Sequence, residues 1–294
     1  MWLLFASLTA FFEACKDATG KQSLKTLDEY SVLFGFMAIG VVVLLPVLWL
    51  SGGVPAILPN FWWALLIGGG LNILAFTLYV RALKLADLSL TVPLVTLTPL
   101  FLLATSPIIV QEWPTLADGI GVVLLVVGSY VLNLKPADTV EKDRLSIGVP
   151  LVAMARNPGS RLMLCVAFIW SITSNFDKIG VINSSPLFWA IALFTTIACG
   201  MVPFVFRKGL SSGLYPLIKQ WRLIGITGGF NAIAITCQML ALPLAPVAQV
   251  IAIKRMSALL SVLFGHFFFG EKEMAKRLLG ASIMVAGVVI MSLH

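Results

Sequence analysis

The chain has 294 residues, of which 59% are hydrophobic and only 11% charged, with a mean hydropathy of +1.00. Soluble domains carry about 45–50% apolar and 25% charged residues, so this composition excludes a soluble enzyme, a disordered chain and a collagen-like or disulfide-stapled protein. A net charge of +7 and a pI near 9.4 would elsewhere suggest nucleic acid; here the basic residues collect between apolar segments and are read as marks of membrane orientation, with no nucleic-acid partner.

Ten segments offer the roughly 20 apolar residues that cross a bilayer. In chain order they are Trp2–Gly20, Ser31–Leu50, Phe61–Arg81, Leu88–Val110, Leu116–Leu134, Leu162–Val181, Pro186–Phe206, Leu223–Leu242, Val247–Phe269 and Leu278–Leu293. They are apolar all round, which predicts helices rather than the alternating strands of a barrel. Met1–Phe12 lacks a basic start, and Glu13, Lys16 and Asp17 stand where a signal peptide would be cleaved, so this segment reads as a span. The longest connection, 135–161, contains the mildly amphipathic stretch Leu145–Ala155, predicted to lie on the membrane surface. Asn157-Pro158-Gly159 then breaks the chain before the sixth span. Cys15, Cys165, Cys199 and Cys237 sit in apolar segments without CxxC spacing, which predicts neither a metal site nor a disulfide.

The chain repeats itself. Residues 60–134, moved by 159 positions, fall on 219–293 without a gap. Trp62 meets Trp221, Gly69-Gly70 meets Gly228-Gly229, Asn72 meets Asn231, Thr77 meets Thr236, Glu112 meets Glu271, Gly121 meets Gly280 and Gly128 meets Gly287. Asp17-x-x-Gly20 is echoed more faintly by Asp177-x-x-Gly180. Two halves of five spans follow, 1–134 and 162–294, joined by 135–161. Five is odd, so the second half enters the membrane upside down, the inverted-repeat plan of secondary transporters with a site at mid-membrane.

The repeated unit resembles the EamA domain of the drug/metabolite transporter superfamily, through "YVRALKLADLSLTVPLVTLTPLFLLATSPIIVQEW…GIGVVLLVVGSYVL" and "CQMLALPLAPVAQVIAIKRMSALLSVLFGHFFFGEK…LLGASIMVAGVVIMSL". The resemblance spans nearly the whole chain, is specific for fold and says little about cargo. It implies ten helices, with the first, third, fourth, sixth, eighth and ninth around a central cavity.

Of the 20 basic residues, 16 lie in or beside the odd-numbered connections, and none lies in the even-numbered connections or at the termini. Basic connections stay cytoplasmic, which predicts a multi-pass protein of the cell (inner) membrane with both termini outside. Many members of the superfamily are thought to have both ends inside, so this orientation departs from the resemblance.

The other four, Lys16, Lys178, Lys254 and Arg255, lie within spans. An ionisable group at the bilayer centre costs about 2.5–3.5 kcal/mol on insertion scales and faces a cavity or a partner. Lys254 and Arg255 lie roughly 10–12 Å along the ninth span, and adjacent helical residues can flank one cleft. A planar fork beside a point charge suits phosphate or carboxylate; a structural pair neutralised by another helix is the plain alternative. The doublet is similar to the Lys-Arg pair that holds substrate phosphate in plastid phosphate translocators. Glu13, Lys16 and Asp17 share one face of the first span, and an unpaired Glu13 could carry a proton, as the first-helix glutamate of small multidrug-resistance relatives does. A neutral salt-bridged patch explains them equally well. Asp177 is a counter-charge or a proton acceptor, unless it lies at the membrane rim with Lys178. Asn72, Asn231, Asn175, Tyr79, Gln238 and Gln249 are candidate cavity-lining groups or interhelical hydrogen-bonders. Lone His266 reads as structural, and Glu112 and Glu271 as helix-end fixtures. Gly121, Gly128, Gly280 and Gly287 suit close helix packing or a dimer contact, and Pro93, Pro99 and Pro107 predict a fourth span that flexes as a gate.

No Walker, HExxH or GxSxG sequence is present, so neither ATP, a catalytic residue nor a cofactor is expected. The expected function is a secondary carrier of a small anionic or zwitterionic metabolite, phosphorylated ones included, working by alternating access. Lys254 and Arg255 hold the cargo, Glu13, Asp17, Asp177 and Lys16 balance charge, and a proton or counter-substrate is exchanged; the chain acts as monomer or homodimer. The rivals are a proton-coupled exporter of amino acids or cationic drugs using Glu13, a membrane-embedded lipid-processing protein, and a structural subunit.

Overall fold

Lipid offers no partners to backbone amides, so an apolar chain satisfies them within helices. The computed structural model describes residues 1–23, 27–85, 94–132, 157–209, 220–260 and 274–292, and among them there are ten helices and no strand. They are α1 (Trp2–Ser23), α2 (Glu29–Leu50), α3 (Asn60–Ala64, a π-helical turn Leu65–Gly69, then Gly70–Leu85), α4 (Thr98–Ile109) and α5 (Leu116–Leu132). The second half supplies α6 (Pro158–Ile182), α7 (Pro186–Gly209), α8 (Trp221–Ala241), α9 (Val247–Lys254) and α10 (Met274–Ser292). The surface helix expected at Leu145–Ala155, most of the basic fifth connection, Pro93, His266 and Glu271 lie outside the described residues.

Local chemistry fixes the ends. Asp28 accepts from the amides of Tyr30 and Ser31 at 3.1 Å to start α2, and Asn157 accepts from Gly159 N at 2.8 Å, ahead of Pro158, to start α6. Thr115 and Asp118 bond each other's amides at the head of α5. Among the described residues five helices are long and apolar enough to cross a bilayer outright, and shorter apolar helices add to them. Val42, Leu50 and Ile108 stand exposed, as lipid-facing residues do. Trp49, Trp62, Trp63 and Trp113 are exposed where the second and fourth connections lie, the place of an interfacial aromatic belt.

The even-numbered connections meet at one face. Leu58 N donates to Asn183 O at 3.0 Å, Val247 N to Glu112 Oε2 at 2.8 Å and Lys178 Nζ to Ala245 O at 2.8 Å. Packing crosses the two repeats: α1 lies on α8, α2 on α7 and α8, α3 and α4 on α6, and α5 on α10. Apolar burial drives little between helices in lipid, so close approach must supply the attraction. A Cβ on Gly121 would fall 2.6 Å from Gly287 O, and one on Gly128 2.7 Å from Gly280 O. The repeated glycines thus close α5 onto α10 within the chain.

The fourth and ninth spans differ from the unbroken helices the apolar pattern predicts. Both are interrupted by a turn, at Thr96–Leu97 and Arg255–Met256. The two turns are equivalent by the 159-residue repeat, and so are their hydrogen bonds. Leu97 N bonds Leu94 O at 3.1 Å and Phe101 N bonds Leu97 O at 3.2 Å; Met256 N bonds Ile253 O at 2.9 Å and Leu260 N bonds Met256 O at 3.2 Å. Pro99 stands at the start of α4, where a missing N–H costs nothing. Its counterpart is Ala258, so proline is not what makes the break.

Candidate functional site

Lys254 ends the first segment of α9 and Arg255 opens the break. The turn aims both side chains inward. Lys254 Nζ donates to Gln238 Oε1 of α8 at 2.8 Å. Arg255 Nη2 donates to Thr98 Oγ1 at the equivalent break of α4, at 3.2 Å, and Thr98 Oγ1 donates onward to Val95 O at 2.7 Å. The Arg255 guanidinium carbon lies 5.9 Å from the centre of the Trp170 ring of α6, within cation–π reach. Tyr79 and Phe76 of α3 pack on the same indole at 5.6 and 5.8 Å.

The α1 triad completes the cluster. Lys16 Nζ lies 2.5 Å from Glu13 Oε1 and 3.4 Å from Asp17 Oδ1. The charges of Lys254 and Arg255 act on Glu13, and that of Lys254 also reaches Asp17 and Asp177. Formally three carboxylates face three cations, contributed by α1, α6 and α9. The pairing is uneven, however. Among the described residues no carboxylate lies within ion-pair distance of Lys254 or Arg255, and Arg255 Nε is buried without a hydrogen-bond partner.

Of the other expected lining groups, Tyr79 and Gln238 join the cluster, each beside one member of the doublet. Asn72 Nδ2 is occupied by Gly68 O at 3.0 Å. Its repeat partner Asn231 is buried with Nδ2 unpartnered among the described residues. Asn175 ties α6 to α4 through Thr105 Oγ1 at 3.2 Å. Gln249 donates to Asp118 Oδ1 of α5 at 2.7 Å, and no hydrogen bond joins it to the doublet. Asp177 is buried on α6 and accepts from Trp189 Nε1 of α7 at 3.0 Å. Lys178, one position on, instead pairs with Glu112, which also accepts from the first amide of α9. This clamp lines a cavity of about 390 Å³ with Asn60, Trp63, Phe176 and Asn183.

Sequence reasoning missed Trp170 and Thr98. A tryptophan inside an apolar run reads as core, and only its place two helical turns before Asp177, on the same face, could have marked it. Thr98 was findable from the repeat, as the match of Ser257 beside the doublet.

No curated protein sequence matches the chain. One solved structure, described only as "Crystal structure of protein", superposes with a TM-score of 0.78 over 99% of this chain and 97% of its own, at 17% identity, and so shares the fold. The model of the EamA-like transporter family matches residues 1–134 and again 157–293. Such a double match describes two copies of one repeated unit, and the chain belongs to the EamA-like transporter family, multi-pass membrane transporters of the drug/metabolite superfamily.

Proposed function

We propose that the protein is a secondary carrier of a small anionic or zwitterionic metabolite, with phosphate esters the best-fitting class. The observation that carries this reading is the Lys254–Arg255 doublet. It lies at a helix break among α1, α3, α4, α6, α8 and α9, with neutral hydrogen-bond partners and, among the described residues, no carboxylate within ion-pair distance. Arg255, oriented by Thr98 and Trp170, offers the planar fork that an oxyanion accepts in bidentate fashion, and Lys254 adds a point charge. Cargo binding supplies the missing counter-charge, and the inverted halves then rock to open the other side. Glu13 is engaged by Lys16 at 2.5 Å, which weighs against its serving as the anion for a cationic drug. The even-numbered connections face outward in this reading, with both termini.

Purified protein in liposomes, loaded and challenged with labelled phosphate, sugar phosphates, nucleotides and amino acids, tests it. Flux of a phosphate-bearing anion, lost in Lys254→Gln and in Arg255→Gln, is the expected result. Flux of cations alone, indifferent to both substitutions, would overturn it.

A further inference from the structure

We propose that Asp177 is the proton-binding site of this carrier, loading one proton together with each anion, while Glu13 and Asp17 stay charged and paired. This rests on the reading of the protein as an anion carrier and adds its coupling.

The carboxylates of the bundle are not alike. Glu13 and Asp17 share the Lys16 ammonium. Glu112 holds Lys178 and the amide of Val247, and Asp118 accepts from Thr115 and Gln249. Asp177 is 6% exposed, and the donor it meets is the neutral indole N–H of Trp189; among the described residues no cationic nitrogen lies within ion-pair distance of it. The indole is locked in place. Trp189 is fully buried, and a Cβ on Gly180, one turn beyond Asp177, would fall 2.1 Å from its ring. A carboxylate removed from water with one neutral donor is costly as an anion and stable as an acid.

Of the elements packed on α6, α9 contributes the Lys254 charge and α7 the Trp189 indole, whereas Glu112 beyond the end of α4 is engaged with Lys178, and among the described residues α3 and α8 contribute no charge that acts on Asp177. On loading, a proton from water bonds to one carboxyl oxygen of Asp177; on release that O–H bond breaks and the proton returns to water on the other side, with no electron transferred. Protonation removes one negative charge from the field around Lys254, so the loaded form binds an anion more tightly. By reciprocity the anion favours the proton, and the two travel together.

Infrared difference spectra of the full-length protein in lipid nanodiscs, taken without cargo between neutral and alkaline pH, a range in which ordinary carboxyls stay ionised, read the site directly. A protonated-carboxyl C=O band is expected in wild type, Glu13→Gln and Asp17→Asn. It should vanish in Asp177→Asn, return in Asp177→Glu and rise in frequency in Trp189→Phe, which keeps a ring against Gly180 but removes the donor. A band that persists in Asp177→Asn, that disappears in Glu13→Gln, or that is unmoved in Trp189→Phe overturns the proposal. The Trp189→Phe spectrum decides the matter even if Asp177→Asn fails to fold. If the band behaves as expected but liposomes pass no labelled phosphate ester, the proton site stands and the carrier reading falls. If phosphate esters move with no Asp177 band, the carrier reading stands and this proposal falls.

Discussion

At the scale of single residues, the orientation of Arg255 matters as much as its charge. Its guanidinium is fixed by Thr98 on one side and lies over Trp170 on the other. Arg255→Lys keeps the charge but loses the fork and the ring contact, together worth about 1–2 kcal/mol when desolvated. Cargo affinity in liposome uptake should therefore fall roughly tenfold, given that about 1.4 kcal/mol is a factor of ten; an unchanged KM would show that charge alone binds. Gln249 makes the opposite case. Its amide is spent on Asp118, which also anchors the first turn of α5. Asp118→Ala leaves Gln249 and the Thr115 amide without their acceptor and should destabilise the protein by about 1–3 kcal/mol. Thermal unfolding in detergent reads this as a lower Tm, with cargo affinity in the surviving protein unchanged. Periodicity could place Gln249 near the doublet along the chain, but not tell which way it turns. A side chain's partner belongs to another helix, and a single sequence does not state it.

At the scale of elements, the repeat announced most of what was built. The matched glycines at 121, 128, 280 and 287 predicted a close crossing, and the backbones of α5 and α10 meet where a Cβ would fall 2.5–2.7 Å from a carbonyl oxygen. Gly128→Val places two extra branches into that contact. Overpacking costs typically 1–3 kcal/mol, and here the obstacle is backbone, which cannot rotate away. Loss of monodisperse protein in size-exclusion chromatography is the expected result, and normal yield and Tm would contradict the packing. The broken fourth and ninth spans were less legible. Hydropathy sees apolar residues on both sides of Thr96 and Arg255 and draws one helix through them. Prolines hinted at a bend in α4, yet α9 bends at the equivalent position with Ala258 in place of Pro99. The break belongs to the repeated unit and its tertiary setting, so Pro99→Ala should preserve it. Helical circular dichroism is then unchanged, and uptake retains its dependence on Arg255.

At the scale of the molecule, sidedness is the property that sequence statistics address and packing does not. Helix contacts are identical whichever way the bundle is inserted, because nothing inside it refers to water outside. What breaks the equivalence is the distribution of charge at the two faces. The even-numbered connections converge through Leu58, Asn183, Glu112, Val247 and Ala245, and the basic residue that reaches them, Lys178, is neutralised by Glu112. That face therefore offers no free positive charge among the described residues to hold it in the cytoplasm. Arg81, Arg161, Arg207 and Arg222 lie near helix ends at the opposite face, and each adds to the barrier against translocation of short connections. Both chain ends belong to the non-basic face, α1 by beginning there and α10 by being the tenth crossing. A fluorescent protein fused after residue 294 that matures only in the cytoplasm should stay dark, whereas a phosphatase that folds only outside should be active at the same junction. Replacing Glu112 by Gln frees Lys178 but leaves the 16 basic residues in or beside the odd-numbered connections of the sequence outvoting it, so the reporters should not change. Bright fluorescence from the wild-type fusion would mean that insertion is set by something other than charge, and would turn the outward vestibule of the proposed carrier into the inward one.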